Sequence, residues 1–304
     1  MVKTKEIVQK FLVAYTDSNL SSIPDILSDD IEINYSNISS AKGKDNVTDV
    51  LKWDYNFDVK RVTTTNVLSY TKDHYEYTGL IAHHLVSFEK NNEMFPLVFG
   101  GKYVFKVDLH TNVIDKIAFV LEYQAENTIY VKDKWKLSTG QNDYSLLSEF
   151  DTITVLQNAV KKKDMAGIVN LFFWCLDTND LEILDKLCSD DFIISRDKSV
   201  GHGRFSSDKR ELNKFIENTN QYYALNQNSI RINEINDGDS ITVTAQRLTP
   251  HRLGTKKLNS TTKYHSFFDE DISLIINSQT LKIESVDMKK AADVFYNGIK
   301  LLEY

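Results

Sequence analysis

Two cysteines, three prolines and eleven glycines are all that 304 residues contain of these types. Two cysteines, Cys175 and Cys188, are too few for a disulfide framework, and no CxxC or Cys/His cluster surrounds them, so they read as buried structural thiols on neighbouring helices. The scarcity of Pro and Gly excludes collagen-like and linker-rich chains. A basic excess is also missing: Lys plus Arg number 36 against 43 Asp plus Glu, a formal net charge of -7. That balance argues against a general binder of nucleic acid or of anionic membranes. No window approaches the roughly 18 consecutive apolar residues of a membrane span. The opening MVKTKEIVQKFLVAY carries charge every few residues, unlike the apolar core of a signal peptide. HExxH, GxSxG and Walker patterns are missing, and Gly201-His202-Gly203 is too short for a phosphate loop. The expectation is a cytoplasmic protein with no metal, no cofactor, no nucleic-acid partner and no membrane partner.

What is present is ordinary globular material, 41% hydrophobic and 26% charged, in a length that suits two domains of about 150 residues. An internal repeat divides it. Residues 7–33, IVQKFLVAYTDSNLSSIPDILSDDIEI, align without a gap to residues 168–194, IVNLFFWCLDTNDLEILDKLCSDDFII, at a constant offset of 161. Ile7, Phe11 and Tyr15 give a first helix one apolar face. Thr16-Asp17-Ser18-Asn19 and Asp177-Thr178-Asn179-Asp180 break it with turn and capping residues. A short second helix follows, through Leu20, Ile23 and Leu27 or Leu181, Leu184 and Cys188. Ser-Asp-Asp ends that helix, and alternation through Ile31, Ile33 and Tyr35 starts a strand. A Gly43-Lys44 or Gly203-Arg204 turn and a third helix come next. Strand signals then fall near 63–70, 74–88, 95–109 and 113–122, and again near 229–235, 240–248, 262–268 and 280–288. Lys102-Tyr103 and Lys263-Tyr264 read as the openings of equivalent strands.

The fold class is α+β: two tandem domains, each with three N-terminal helices packed on a curved antiparallel sheet. The boundaries are 1–126 for the first domain, 127–150 for a linker and 151–304 for the second. This succession of helix, turn, short helix, Ser-Asp-Asp, strand, Gly turn, third helix and meander resembles the nuclear transport factor 2-like superfamily, including its ketosteroid isomerases and SnoaL-like polyketide cyclases. The resemblance covers almost the whole chain, twice. It implies cystatin-like cones, each with an apolar pocket at its open end, and a dimer through the outer face of the sheet. In residues 74–88 one alternating set is Tyr75, Tyr77, Gly79, Ile81, His83 and Leu85, and the other is Leu80, Ala82, His84, Val86 and Phe88. A strand apolar on both faces is buried on both. The expected partner for the outer face is the second repeat, as an intramolecular pseudo-dimer, with a homodimer as the other option.

The same resemblance locates an isomerase-type site. The helix Tyr of that family falls on Phe11 and Phe172, the base Asp on Tyr35 and Arg196, and the second acid on Lys102 or Tyr103 and on Lys263 or Tyr264. Neither repeat keeps the base, which argues against ketosteroid isomerase chemistry. No catalytic residue is assigned beyond His83, a candidate general base that shares a face with Tyr77 and Ile81. Candidate ligand-binding residues are Tyr15, Tyr35, Tyr77, His83 and Tyr103, a tyrosine-rich wall with polar tips, and Arg196, Arg247 and Lys263, a basic group suited to an anionic ligand. Three functions stay open. The first is binding of a small apolar or amphipathic molecule in a cone pocket. The second is a SnoaL-like lyase, isomerase or cyclase, and the third a protein-binding scaffold.

Overall fold

The computed structural model describes residues 2–16, 20–35, 39–53, 58–90, 93–125, 144–196, 205–212, 214, 216, 229–252 and 265–295. The chain divides into two compact units that meet between Asp151 and Thr152. In the first unit the elements are α1 (Val2–Thr16), β1 (Leu27–Tyr35), β2 (Ser39–Lys42), α2 (Lys44–Trp53), β3 (Asp58–Lys72), β4 (Tyr75–Lys90), β5 (Glu93–Asp108) and β6 (Val113–Ala125). In the second they are α3 (Thr152–Lys162), α4 (Met165–Thr178), α5 (Leu181–Leu187), β7 (Cys188–Arg196), β8 (Phe205–Asp208), β9 (Ser229–Asn236), β10 (Ser240–Arg252), β11 (His265–Asn277) and β12 (Ile283–Phe295). Each unit has one six-stranded sheet, ordered β2-β1-β6-β5-β4-β3 and β8-β7-β12-β11-β10-β9. The α+β expectation holds, with one correction: both sheets are mixed, because β1 runs parallel to β6 and β7 parallel to β12. The helical stretches between β1 and the meander reverse the chain, so the first strand returns beside the last in the same direction.

Local chemistry explains most boundaries. Asn179 closes α4 in the left-handed region, and Asp180 caps α5 by accepting from the Ile183 amide. The first unit differs here. In place of a second α-helix it has two 3-10 turns, Leu20–Ser22 and Pro24–Ile26, since Pro24 lacks the amide a longer helix needs. Ser28-Asp29-Asp30 and Ser189-Asp190-Asp191 do not end a helix; they lie within β1 and β7. There the two strands bulge between Leu27 and Glu32 and between Cys188 and Ile193, and the carboxylates stand in solvent, Asp29 on Lys44 and Asp190 on Lys209. Gly43, at φ +85, makes the turn into α2 that an L side chain would strain.

Pairing registers establish the repeat strand by strand. β1 maps onto β7 at an offset of 161, the bulge included. The β5/β6 ladder slips at Gly100/Gly101 and at Lys106/Val107; the β11/β12 ladder slips at Asp269/Glu270 and at Ile275/Ile276, each 169 residues on. β4 maps onto β10 at 165. Tyr103 therefore corresponds to Ile272, not Tyr264, and the equivalence of Lys102-Tyr103 with Lys263-Tyr264 is corrected. The turns between strands differ in length while the kinks keep their places.

In the first unit, Ile7, Phe11 and Leu12 of α1 pack on Leu80, Ala82, Tyr103, Phe105, Phe119 and Leu121, which defines the inner face of the sheet. The outer face is partly covered by residues 144–151 of the same unit. The Phe150 ring lies where a side chain at Gly79 would stand, and Tyr70 donates to the Glu149 carbonyl while accepting from the Asp151 amide. Lys116 pairs with Glu149. In the second unit, Phe172 of α4 meets Phe192 of β7 at 5.9 Å, so Phe192, Ile194 and Arg196 look inward while Ile193 is 49% exposed. No described helix is long and apolar enough to cross a membrane.

Candidate functional site

The most polar part of either inner face lies in the second unit. Arg196 is the last residue of β7, and its register partner on β12 is Met288. Arg247 on β10 pairs with Glu270 on β11, and both neighbour the slip between Asp269 and Glu270. Strand alternation alone points Arg196, Arg247, Glu270 and Met288 at one another. Arg196 donates Nε to Glu270 Oε1 at 2.7 Å and brings Nη2 to the same oxygen at 2.6 Å. Arg247 Nε lies 3.1 Å from Oε2, and its Nη1 donates to the Met288 sulfur at 2.9 Å. All three charged residues are buried, Glu270 to within 1% of full cover. Removing such groups from water costs several kcal/mol each, of order, so the arrangement stands only because each guanidinium meets the carboxylate directly. Phe192, Ile194 and Ile272 form the apolar surroundings on the same face.

The first unit fills the matching positions with rings. Tyr35, equivalent to Arg196, meets Phe119 edge-on at 5.3 Å, and Phe119 stacks on Tyr103 at 4.2 Å. Ala82 and Gly101 stand where Arg247 and Glu270 do. A β-carbon on Gly101 would come within 2.0 Å of the Val120 carbonyl oxygen and 2.8 Å of the Phe119 ring. Deep in this face, the Tyr103 hydroxyl lies 3.3 Å from His84 Nε2. Burial pushes the His84 imidazole down to about 3, with the neighbouring His83 adding to the effect, so it is neutral near pH 7.

Of the expected site residues, the structure brings Tyr35 and Tyr103 together, and Arg196 and Arg247 together. Tyr77 and His83 share the opposite, outer face. Tyr77 stacks on Tyr70 at 5.0 Å, and His83 is held down to about 3 by burial and by the Lys102 charge. Tyr15 lies in α1, but its side chain is outside the described residues, as is all of Lys263. The inward histidine is His84. A strand apolar on both faces cannot say which face is which, and only the contact with Tyr103 decides it. Glu270 was missed because it sits in Asp269-Glu270-Asp271, which reads as solvated charge. Its one available signal was the inward alternation with Ile272 and Leu274. Lys102, Glu122 and Tyr144 form a second buried cluster, on the outer face of the first unit: Lys102 Nζ is 2.5 Å from Glu122 Oε1, to which Tyr144 donates at 2.6 Å.

The element order and strand order are found twice, so the two units share one fold. No family model matches the sequence, and no curated protein matches it. Among solved structures it is similar to a SnoaL-like polyketide cyclase of Shewanella putrefaciens CN-32, at 12% identity and a TM-score of 0.34, over 44% of this chain and 96% of that one. It is similar to a ketosteroid isomerase-like protein of Erwinia carotovora atroseptica SCRI1043, at 9% identity and a TM-score of 0.34, over 40% of this chain and 96% of that one. An NTF2-like protein of Cytophaga hutchinsonii ATCC 33406 matches 38% of this chain and 91% of its own length, at 12% identity and a TM-score of 0.30.

Proposed function

We propose that the second unit binds a small amphipathic molecule on the inner face of its cone, with the polar end at Arg196 and Arg247. The observation that carries this reading is the convergence of two buried guanidinium groups on one carboxylate within an apolar face. Buried ion triads are poor stabilisers compared with apolar residues of similar volume, so binding is a better reason for this one than stability. Ketosteroid isomerase chemistry is not part of the proposal: an arginine at 196 and a tyrosine at 35 cannot act as the carboxylate base. The same reading places the protein in the cytoplasm, where the free, buried thiols of Cys175 and Cys188 fit a reducing compartment. Native mass spectrometry of freshly purified full-length chain tests it. A retained molecule of a few hundred daltons, lost in an R196M/R247M variant that still folds, supports binding at this site. A molecule retained equally by both proteins would move the site elsewhere.

A second reading, lyase or isomerase activity in the first unit, is favoured by one feature, the inward His84–Tyr103 contact. A neutral imidazole hydrogen-bonded to a phenol can orient that phenol as a proton donor. Substrate turnover abolished by H84F, with binding retained, would support it.

A further inference from the structure

Resting on the proposed binding face of the second unit, we infer that the polar end it takes is a carboxylate, and that Glu270 occupies the ligand's place as an internal stand-in. The Glu270 carboxylate shows which group this pair of arginines is shaped to hold. It is approached from two strands at once, by Arg196 on Oε1 and by Arg247 on Oε2. A guanidinium is a planar fork that matches two carboxylate oxygens, whereas an ammonium or a hydroxyl has no counterpart for that geometry.

The contact between Arg247 and Met288 points to where a ligand carboxylate would enter and compete with Glu270. Arg196 donates Nε to Glu270 Oε1 and holds Nη2 2.6 Å from the same oxygen. Arg247 gives Nε to Glu270 but turns Nη1 onto the sulfur of Met288. A thioether is a weak acceptor for a charged N–H, and charge-assisted bonds to oxygen are about twice as strong as neutral ones. Exchanging sulfur for a carboxylate oxygen at Nη1 therefore improves the bond, and methionine is the side chain best able to swing aside, having three rotatable bonds. Glu270 tunes the affinity by competing for the guanidinium donors, which keeps the arginines ordered and ionically matched when no ligand is bound.

The test is titration of the full chain with straight-chain carboxylates from hexanoate to dodecanoate and with the matched alcohols, followed by calorimetry and by the fluorescence of the buried Trp174. Carboxylates are expected to bind at least tenfold more tightly than alcohols of equal length. R247M should lower carboxylate affinity at least tenfold and so erase that preference. E270Q should raise carboxylate affinity several-fold without changing alcohol affinity, because it removes the competing anion. If R247M fails to fold, E270Q and R196K decide: R196K keeps the charge but loses the fork, and the preference should shrink. Equal binding of acids and alcohols by the wild type overturns the carboxylate assignment and leaves the amphipathic-ligand reading standing. Absence of binding across both series, together with an empty native mass spectrum, overturns both. An E270Q variant with a lower carboxylate-to-alcohol ratio would make Glu270 a partner of the ligand, not its stand-in, and would also overturn the proposal.

Discussion

In the first unit the inner positions Tyr35, Ala82, Gly101 and Phe119 hold rings and small residues, and in the second the same register positions hold Arg196, Arg247, Glu270 and Met288. On the outer face these register positions differ in the same sense, apolar in the first unit and polar in the second. Gly79, Ile81, Val104 and Val120 stand in the first unit where Thr244, Gln246, Ser273 and Lys289 stand in the second. The buried ion pair of the first unit, Lys102 with Glu122, is on that outer face under residues 144–151; the charged cluster of the second unit is on the inner one. One backbone with matching kinks thus carries its buried ion pairs on opposite faces in the two units. What each face does is decided by side chains and by what the rest of the chain lays over them.

The strongest way to break this comparison is to remove one member of a buried pair. E122A strands the Lys102 ammonium, and the first unit is expected to lose about 3–5 kcal/mol of stability, seen as an earlier urea transition. The double variant K102M/E122L should recover most of it. A single-variant loss under about 1 kcal/mol would mean that water reaches the outer face and that the pair behaves as a surface one.

Acid is the next lever. His83 and His84 are held to about 3 against an ordinary 6.5, mainly by burial. The unfolded chain takes up protons at both below 6.5 while the folded chain refuses them, so stability complete above that value falls as the pH drops toward 3. Between pH 6.5 and 5 the loss is about 2 kcal/mol for each histidine, at roughly 1.4 kcal/mol per pH unit. Amide exchange should report the first unit opening on acidification. Simultaneous opening would show the two units to be energetically inseparable, and H84F should flatten the pH dependence.

A smaller effect separates the inner faces. G101A drives a β-carbon toward the Val120 carbonyl, and overpacking of this kind costs about 1–3 kcal/mol; the melting temperature checks it. In the second unit a full Glu side chain occupies the equivalent position. Smallest of all is K42A, which deletes a surface pair between Lys42 and Glu32 at 2.7 Å and should leave the melting temperature unchanged.

The sequence discloses the tandem architecture wherever spacing is constant. Helix α1 and strand β1 repeat at 161 because nothing is inserted between them, so Ile7, Phe11 and Ile33 find Ile168, Phe172 and Ile194 by simple alignment. Arg196 was legible through the same alignment, as the counterpart of Tyr35, and Arg247 only as part of a basic group with Arg196 and Lys263. Three things were hidden. The turn before β11 is longer than that before β5, which made Lys263-Tyr264 a false match for Lys102-Tyr103. Glu270 looked like surface acid because its partners are remote in sequence, 74 residues away for Arg196. His83 and His84 could be ordered only by a contact across the sheet.

The β4/β5 and β10/β11 pairings carry a practical implication for altering this chain. Between β4 and β5 the second unit has gained four residues relative to the first, yet Arg247 still stands across from Glu270 as Ala82 does from Gly101. Neither of these two ladders contains a slip, so the four added residues leave the pairing and the side each residue faces unchanged. A peptide epitope or a recognition segment spliced there should lengthen the connection without turning a single inward side chain outward.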